Sequence, residues 1–205
     1  MTEQYHREEL EIALDPSHPA HILPPPLPRS WRVLDVGCGA GQTLTATYPD
    51  RVSFGLDHDR AALRLGRSWG GPVCFVCGKA EALPWQNGQF DMVIARVSLA
   101  YTDISRSLKE IHRVLRNGGE LWMTLHPFSI PWRRAKSSNY KDWLLFVYIV
   151  LNSALFHLTR KQFSFLGRYE SFQTERGISR ALSKTGFERI SITRDRHFLV
   201  TARCQ

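Results

Sequence analysis

The sequence predicts an α/β fold built on an open, doubly wound sheet, and three observations carry that prediction. A short apolar strand, Val33-Leu34-Asp35-Val36, runs into glycines at alternate positions, Gly37, Gly39 and Gly41, and then into helix-forming residues. A second apolar run from Val52 to Leu56 ends in Asp57, at about the twenty-residue interval where such sheets place a ribose-binding carboxylate. Strand-like and helix-like patterns then alternate along the chain, as a mostly parallel sheet requires.

Taken in order, Thr2 to Leu14 are polar and acidic, with Leu10 and Leu14 on one helical face and no secretory pattern. Six prolines (Pro16, Pro19, Pro24, Pro25, Pro26, Pro28) make 15–30 an extended strap, so 1–30 reads as helix and strap and 31–205 as one domain. Strands are expected near 32–36, 52–57, 73–77, 90–95 and 120–126, with helices near 41–48, 59–68 and 103–116. Ile104, Leu108, Ile111 and Leu115 fall at helical spacing, Gly118-Gly119 would stop that helix, and Leu121, Met123 and Leu125 alternate as a strand face. A further helix near 175–185 ends at Gly186 and leads into strands near 187–193 and 197–203, close enough for a hairpin.

Composition is that of an ordinary globular domain, 43% apolar and 22% charged over 205 residues. Four cysteines do not make a disulfide scaffold at this size, so a cytoplasmic location is expected. Cys74 and Cys77 form a C-x-x-C pair within an apolar strand that points them to opposite faces. They read as structural, and no metal is expected.

The glycine spacing selects the ligand. A dinucleotide loop, G-x-G-x-x-G/A, would place a small residue at 42, where this chain has Gln42, so an NAD-linked oxidoreductase is disfavoured. An acid two residues before G-x-G-x-G instead resembles motif I of the class I S-adenosylmethionine-dependent methyltransferases. Two further segments are similar to the "type 11" (ubiquinone/menaquinone-like) group: GKAEALPWQNGQFDMVI at 78–94 and SLKEIHRVLRNGGELWMTL at 107–125. The resemblance implies a Rossmann-like, seven-stranded sheet, mostly parallel with an antiparallel last strand. It also implies S-adenosyl-L-methionine as cofactor and S-adenosyl-L-homocysteine as product. The cofactor set it implies is Asp35, Gly37, Cys38, Gly39, Gly41, Asp57, His58, Ala80, Glu81 and Arg96. In it, Asp35 supports the loop and approaches the cofactor's ammonium group. Lys79 stands where the group usually has an acid, so Glu81 or backbone near Ala80 would have to take over the adenine contact.

The expected reaction is transfer of a methyl group to a small, partly apolar acceptor, with O, N and C atoms all open. Ala95-Arg96-Val97-Ser98 replaces the N/D-P-P-Y/F motif of amino-group methylation, and no Pro-Cys pair offers a thiolate for pyrimidine attack. His126 and Tyr101, just beyond strands at the ligand-binding end of the sheet, are the candidate catalytic residues. His112, in a charged helical neighbourhood, reads as structural. Nucleic acid is disfavoured as a partner, because the aromatics cluster inside an apolar run instead of between surface cations. The alternative is a non-catalytic binding or assembly protein on the same fold.

Residues 128–170 exceed a usual connection, so they should carry structure of their own. Within them, 143–158 is almost wholly apolar but interrupted by Asn152, Ser153 and His157. Three readings follow: a cap over the site, a homodimer interface, or peripheral membrane contact. Between 128 and 184 ten basic residues stand against three acidic ones, seven of the chain's formal net charge of +8.

Overall fold

The computed structural model describes residues 2–125, 139–165, 167 and 169–205. Seven strands form one sheet in the order β3-β2-β1-β4-β5-β7-β6. They are β1 Val33–Val36, β2 Ser53–Asp57, β3 Val73–Cys77, β4 Phe90–Arg96, β5 Leu115–Leu125, β6 Phe187–Thr193 and β7 Phe198–Cys204. β1 to β5 pair in parallel, and β7 enters antiparallel between β5 and β6. The described helices are α1 Glu3–Leu14, α2 Gln42–Thr47, α3 Arg60–Ser68, α4 Ile104–Val114, α5 Tyr140–Thr159 and α6 Glu175–Thr185.

The central strands are apolar on both faces because both faces are covered. Leu34, Val36, Val93, Leu121 and Met123 pack with Leu108 and Ile111 of α4, Ile178 and Leu182 of α6, and Phe156 of α5. Val33, Met92, Ile94 and Trp122 point the other way, against Leu44 of α2, against Ile22 and Leu27 of the proline-rich strap, and against Trp31 just after it. The strap is tied down through its carbonyls. Tyr48 donates its hydroxyl to Pro25 O at 2.9 Å, and Arg51 donates to Pro28 O at 2.8 Å.

The two segments after β3 that resemble a common pattern are stitched to each other. Arg113 of α4 donates to the carbonyls of Leu83 (2.9 Å) and Trp85 (2.7 Å), while Glu110 accepts from Leu83 N–H at 2.8 Å. This fixes the loop that leads into the start of β4.

Three details differ from the sequence reading. α4 stops at Val114, before the glycine pair, because Leu115 turns extended and already pairs with Phe90. Gly118 and Gly119 lie inside the longer β5. α1 buries His6 and Ala13, whereas Leu14 is exposed, because the helix docks through polar contacts described below. Cys74 and Cys77 are both exposed, since β3 is an edge strand.

Candidate active site

The carboxyl ends of β1, β2 and β4 converge on the glycine loop. Gly37, Gly39 and Gly41 all have positive φ. At Gly37 glycine is needed twice: φ is +79°, and a Cβ there would lie 2.2 Å from Ser98 Cβ. Ser98, just past β4, donates its hydroxyl to Val36 O and so clasps the loop's entry. Cys38 is buried, with its Sγ against Gly55 of β2.

Asp35 is 1% exposed, and its Oδ1 has no hydrogen-bond partner among the described residues. Burial pushes its carboxyl up to about 7; the Arg96 guanidinium opposes that rise and Asp57 adds to it. A desolvated, unpartnered carboxylate under a loop free of side chains is suited to a cationic ligand group, whose charge would restore its ionised form.

Asp57, at the end of β2, is buried and uses both oxygens on its own chain. Oδ2 accepts from Gly39 N–H and Oδ1 from Asp59 N–H, each at 2.8 Å. His58 is exposed, with Nδ1 3.3 Å from Asp57 Oδ1. Ala80 is buried among the core side chains, Lys79 is exposed, and Glu81 accepts from Asp103 N–H at 2.9 Å, at the start of α4. The described part of the site thus brings Asp35, the glycines, Asp57 and Arg96 together, and ties Glu81 to α4. His126 lies outside the described residues. Tyr101 sits in the short helical turn after β4 and is half-exposed. His112 packs edge-on against Phe187, on the β6 side of the sheet.

The sequence reading missed that α1 forms the outer wall. Gln42 Nε2 donates to His6 Nδ1 at 2.8 Å, which leaves the ring proton on Nε2, and burial lowers the His6 pKa. A Cβ at Gly39 would come within 3.1 Å of His6 Cε1, so α1 lies directly over the loop. Arg96 donates to Glu9 Oε2 at 2.8 Å from β4. The only signal for this in the sequence is the polarity of α1, which reads equally as a solvated face.

Beside Arg96 opens a cavity of about 860 Å³. Its walls include Tyr5, Ile22, Leu125, Phe172 and Phe198, with Arg194, Arg196 and His197 from the β6–β7 turn. Three buried polar atoms on lining residues have no hydrogen-bond partner among the described residues: Arg96 Nε, Thr124 Oγ1 and Gln173 Oε1. Gln173 is oriented by its amide nitrogen, which donates to Ser171 O (2.9 Å) and Ser171 Oγ (3.0 Å). His197 Nε2 donates to His21 O at 3.2 Å, leaving Nδ1 as the ring's acceptor. Val97 also lines the cavity and holds φ +59°, an unusual conformation for a β-branched residue. No residue of α5 lines it.

Residues 34–123 match a family model described as a methyltransferase domain. The phthiotriol/phenolphthiotriol dimycocerosates methyltransferase 1 of Mycobacterium ulcerans is 42% identical over 99 residues, 45% of this chain and 36% of the relative. A demethylmenaquinone methyltransferase of Roseiflexus castenholzii is 35% identical over 98 residues, 45% of this chain and 41% of the relative. The matched segment therefore spans about two fifths of those relatives, 36% and 41% of their length. Among solved structures, a SAM-dependent methyltransferase from Methanosarcina mazei superposes with a TM-score of 0.57 at 22% identity, covering 86% of this chain and 92% of that one. That likeness bears on the fold.

Proposed function

We propose that the methyltransferase domain carried by residues 34–123 binds S-adenosylmethionine at the ends of β1 and β2 and methylates a small, partly apolar acceptor held in the neighbouring cavity. The observation that supports this most is the buried, unpartnered carboxylate of Asp35 beneath the glycine loop, one strand from a cavity that shares Arg96 with it. In this reading Asp35 receives the cofactor's ammonium group, Gly37 and Gly39 let it approach the backbone, and Asp57 meets the ribose hydroxyls while holding the loop.

The cofactor supplies a methyl group already activated on a sulfonium, so the protein's work is alignment and exclusion of water. Thr124 and Gln173 orient the acceptor, with Gln173 Oε1 taking a hydrogen bond from an O–H or N–H of the substrate. His197 Nδ1 serves as a proton acceptor in the cavity wall, the role that the sequence assigns to His126, which lies outside the described residues. The apolar walls are compatible with the lipid-like and quinone-like acceptors in the relatives' names.

A second reading, a non-catalytic binding protein, is favoured by α1 lying on Gly39 and by Lys79 in place of the usual acid. Titration calorimetry with S-adenosylhomocysteine and, separately, NADH tests both. Micromolar binding of S-adenosylhomocysteine that weakens in Asp35→Asn supports the enzyme; no binding of it overturns that reading in favour of the scaffold.

A further inference from the structure

α5 leaves an unusually broad apolar surface outside the protein. Over its 20 residues the best window has a mean hydropathy of 1.4, yet only 22% of that window is buried. Asn152, Ser153 and His157 face the protein, beside the buried Tyr148, Ile149 and Phe156. Asn152 is fully buried, accepting from Phe163 N–H at 3.0 Å and donating to Glu170 O at 3.1 Å. Ser153 accepts from Phe172 N–H at 2.9 Å, and His157 pairs with Thr174 at 2.6 Å.

The other face is apolar and faces outward. Leu144, Leu151 and Leu158 recur every seventh residue, two turns apart, and are 55%, 57% and 68% exposed. Trp143 and Tyr140 flank the stripe at its start, and the exposed Phe163 and Phe165 fold back beside Tyr148, midway along the helix. Cations gather at the carboxyl end, whereas Lys141 at the amino end adjoins Asp142. Lys141 opens the helix, Arg160 and Lys161 follow it, and Arg180 of α6 reaches the His157 carbonyl at 3.4 Å.

We propose that this face docks onto an anionic lipid bilayer, with α5 lying flat in the interface. An apolar stripe with exposed aromatic side chains beside it and basic residues past its carboxyl end suits acyl chains, interface and acidic headgroups. The inward hydrogen bonds of Asn152, Ser153 and His157 hold the helix against the body, which excludes a crossing of the bilayer in this arrangement. A second copy of the chain is the competing occupant of this face, and the test below separates the two.

The test is co-sedimentation of the full chain with large vesicles of phosphatidylcholine alone and with 30% phosphatidylglycerol (roughly 30 mol%, enough to give a negative surface potential). Wild type should partition onto the anionic vesicles at least about tenfold better than onto the neutral ones. Leu151→Ser with Leu158→Ser should reduce that binding by about tenfold or more without changing the circular dichroism, because both side chains are already exposed. Lys161→Ala should weaken only the anionic binding, by roughly fivefold. Absence of wild-type binding to anionic vesicles overturns the proposal, as does a concentration-dependent dimer that the leucine variant dissolves while vesicle binding stays unchanged.

Discussion

The Gly39 backbone N–H donates to Asp57 Oδ2 at 2.8 Å, so the glycine loop of β1 and the end of β2 hold each other in place. Asp57→Ala removes this bond and the one to Asp59 N–H. S-adenosylhomocysteine affinity should fall by about 1.5–3 kcal/mol, and the Gly39 amide should exchange faster with solvent. Calorimetry and hydrogen exchange read the two effects separately; an unchanged dissociation constant would remove Asp57 from the cofactor site.

Asp35 makes the unliganded protein pH-sensitive. Its folded pKa, raised by burial to about 7 from an ordinary value of 3.8, means the folded state holds the extra proton between those values. Its contribution is therefore greatest below pH 4 and is lost as pH rises through 7, on the order of 4 kcal/mol. Buried His6, with its pKa lowered, acts in the opposite sense, because a neutral ring is favoured as pH rises. Comparison of wild type with Asp35→Asn in urea at several pH values isolates the aspartate: the variant should lose less stability, or gain more, on going from pH 5 to 7.5. Equal slopes would contradict the burial argument.

Glu9 and Arg96 tether α1 across the site at 2.8 Å, with both side chains mostly shielded. Glu9→Gln should leave the melting temperature within a few degrees but raise exchange of the α1 amides by roughly tenfold, the equivalent of about 1.4 kcal/mol of local opening. No change in α1 protection would show that the helix is held by other contacts.

Two glycines with similar φ separate crowding from conformation. Gly37 has φ +79° and a blocked Cβ position, whereas Gly118 has φ +74° with nothing within 4 Å. Gly118→Ala should cost about 1 kcal/mol, and Gly37→Ala about 2 kcal/mol more because Ser98 must move. Thermal unfolding of the two variants checks the order.

Thr124→Val replaces a buried, unpartnered hydroxyl with a methyl group of similar size. Stability should rise by about 1 kcal/mol. If the hydroxyl meets the acceptor, kcat/KM for methyl transfer should fall by about tenfold or more while S-adenosylhomocysteine affinity stays constant. A gain in stability with full activity would leave Thr124 out of the acceptor site.

The sheet was legible because each of its cues is local. Glycines at 37, 39 and 41 mark a turn that few other residues can make, the period of Ile104, Leu108 and Ile111 marks a helix face, and Gly186 caps α6 with φ +105°. Asp35 and Asp57 were legible for the same reason, since one lies two residues before the glycines and the other ends the next apolar strand. Helix limits near Leu115 were less so, because pairing with Phe90 overrides the local pattern.

The sequence by itself thus determined the strand order's raw material, the loop and its two carboxylates. The tertiary structure alone decided that a polar helix covers the loop through His6 and Glu9, that Thr124 and Gln173 share a cavity, and that α5 shows its leucines to the outside. Periodicity reports how residues are spaced along one element. Which face of that element is covered depends on partners far away in the chain, and a hydrogen bond such as Asn152 to Glu170 can reverse what hydropathy alone would place inside.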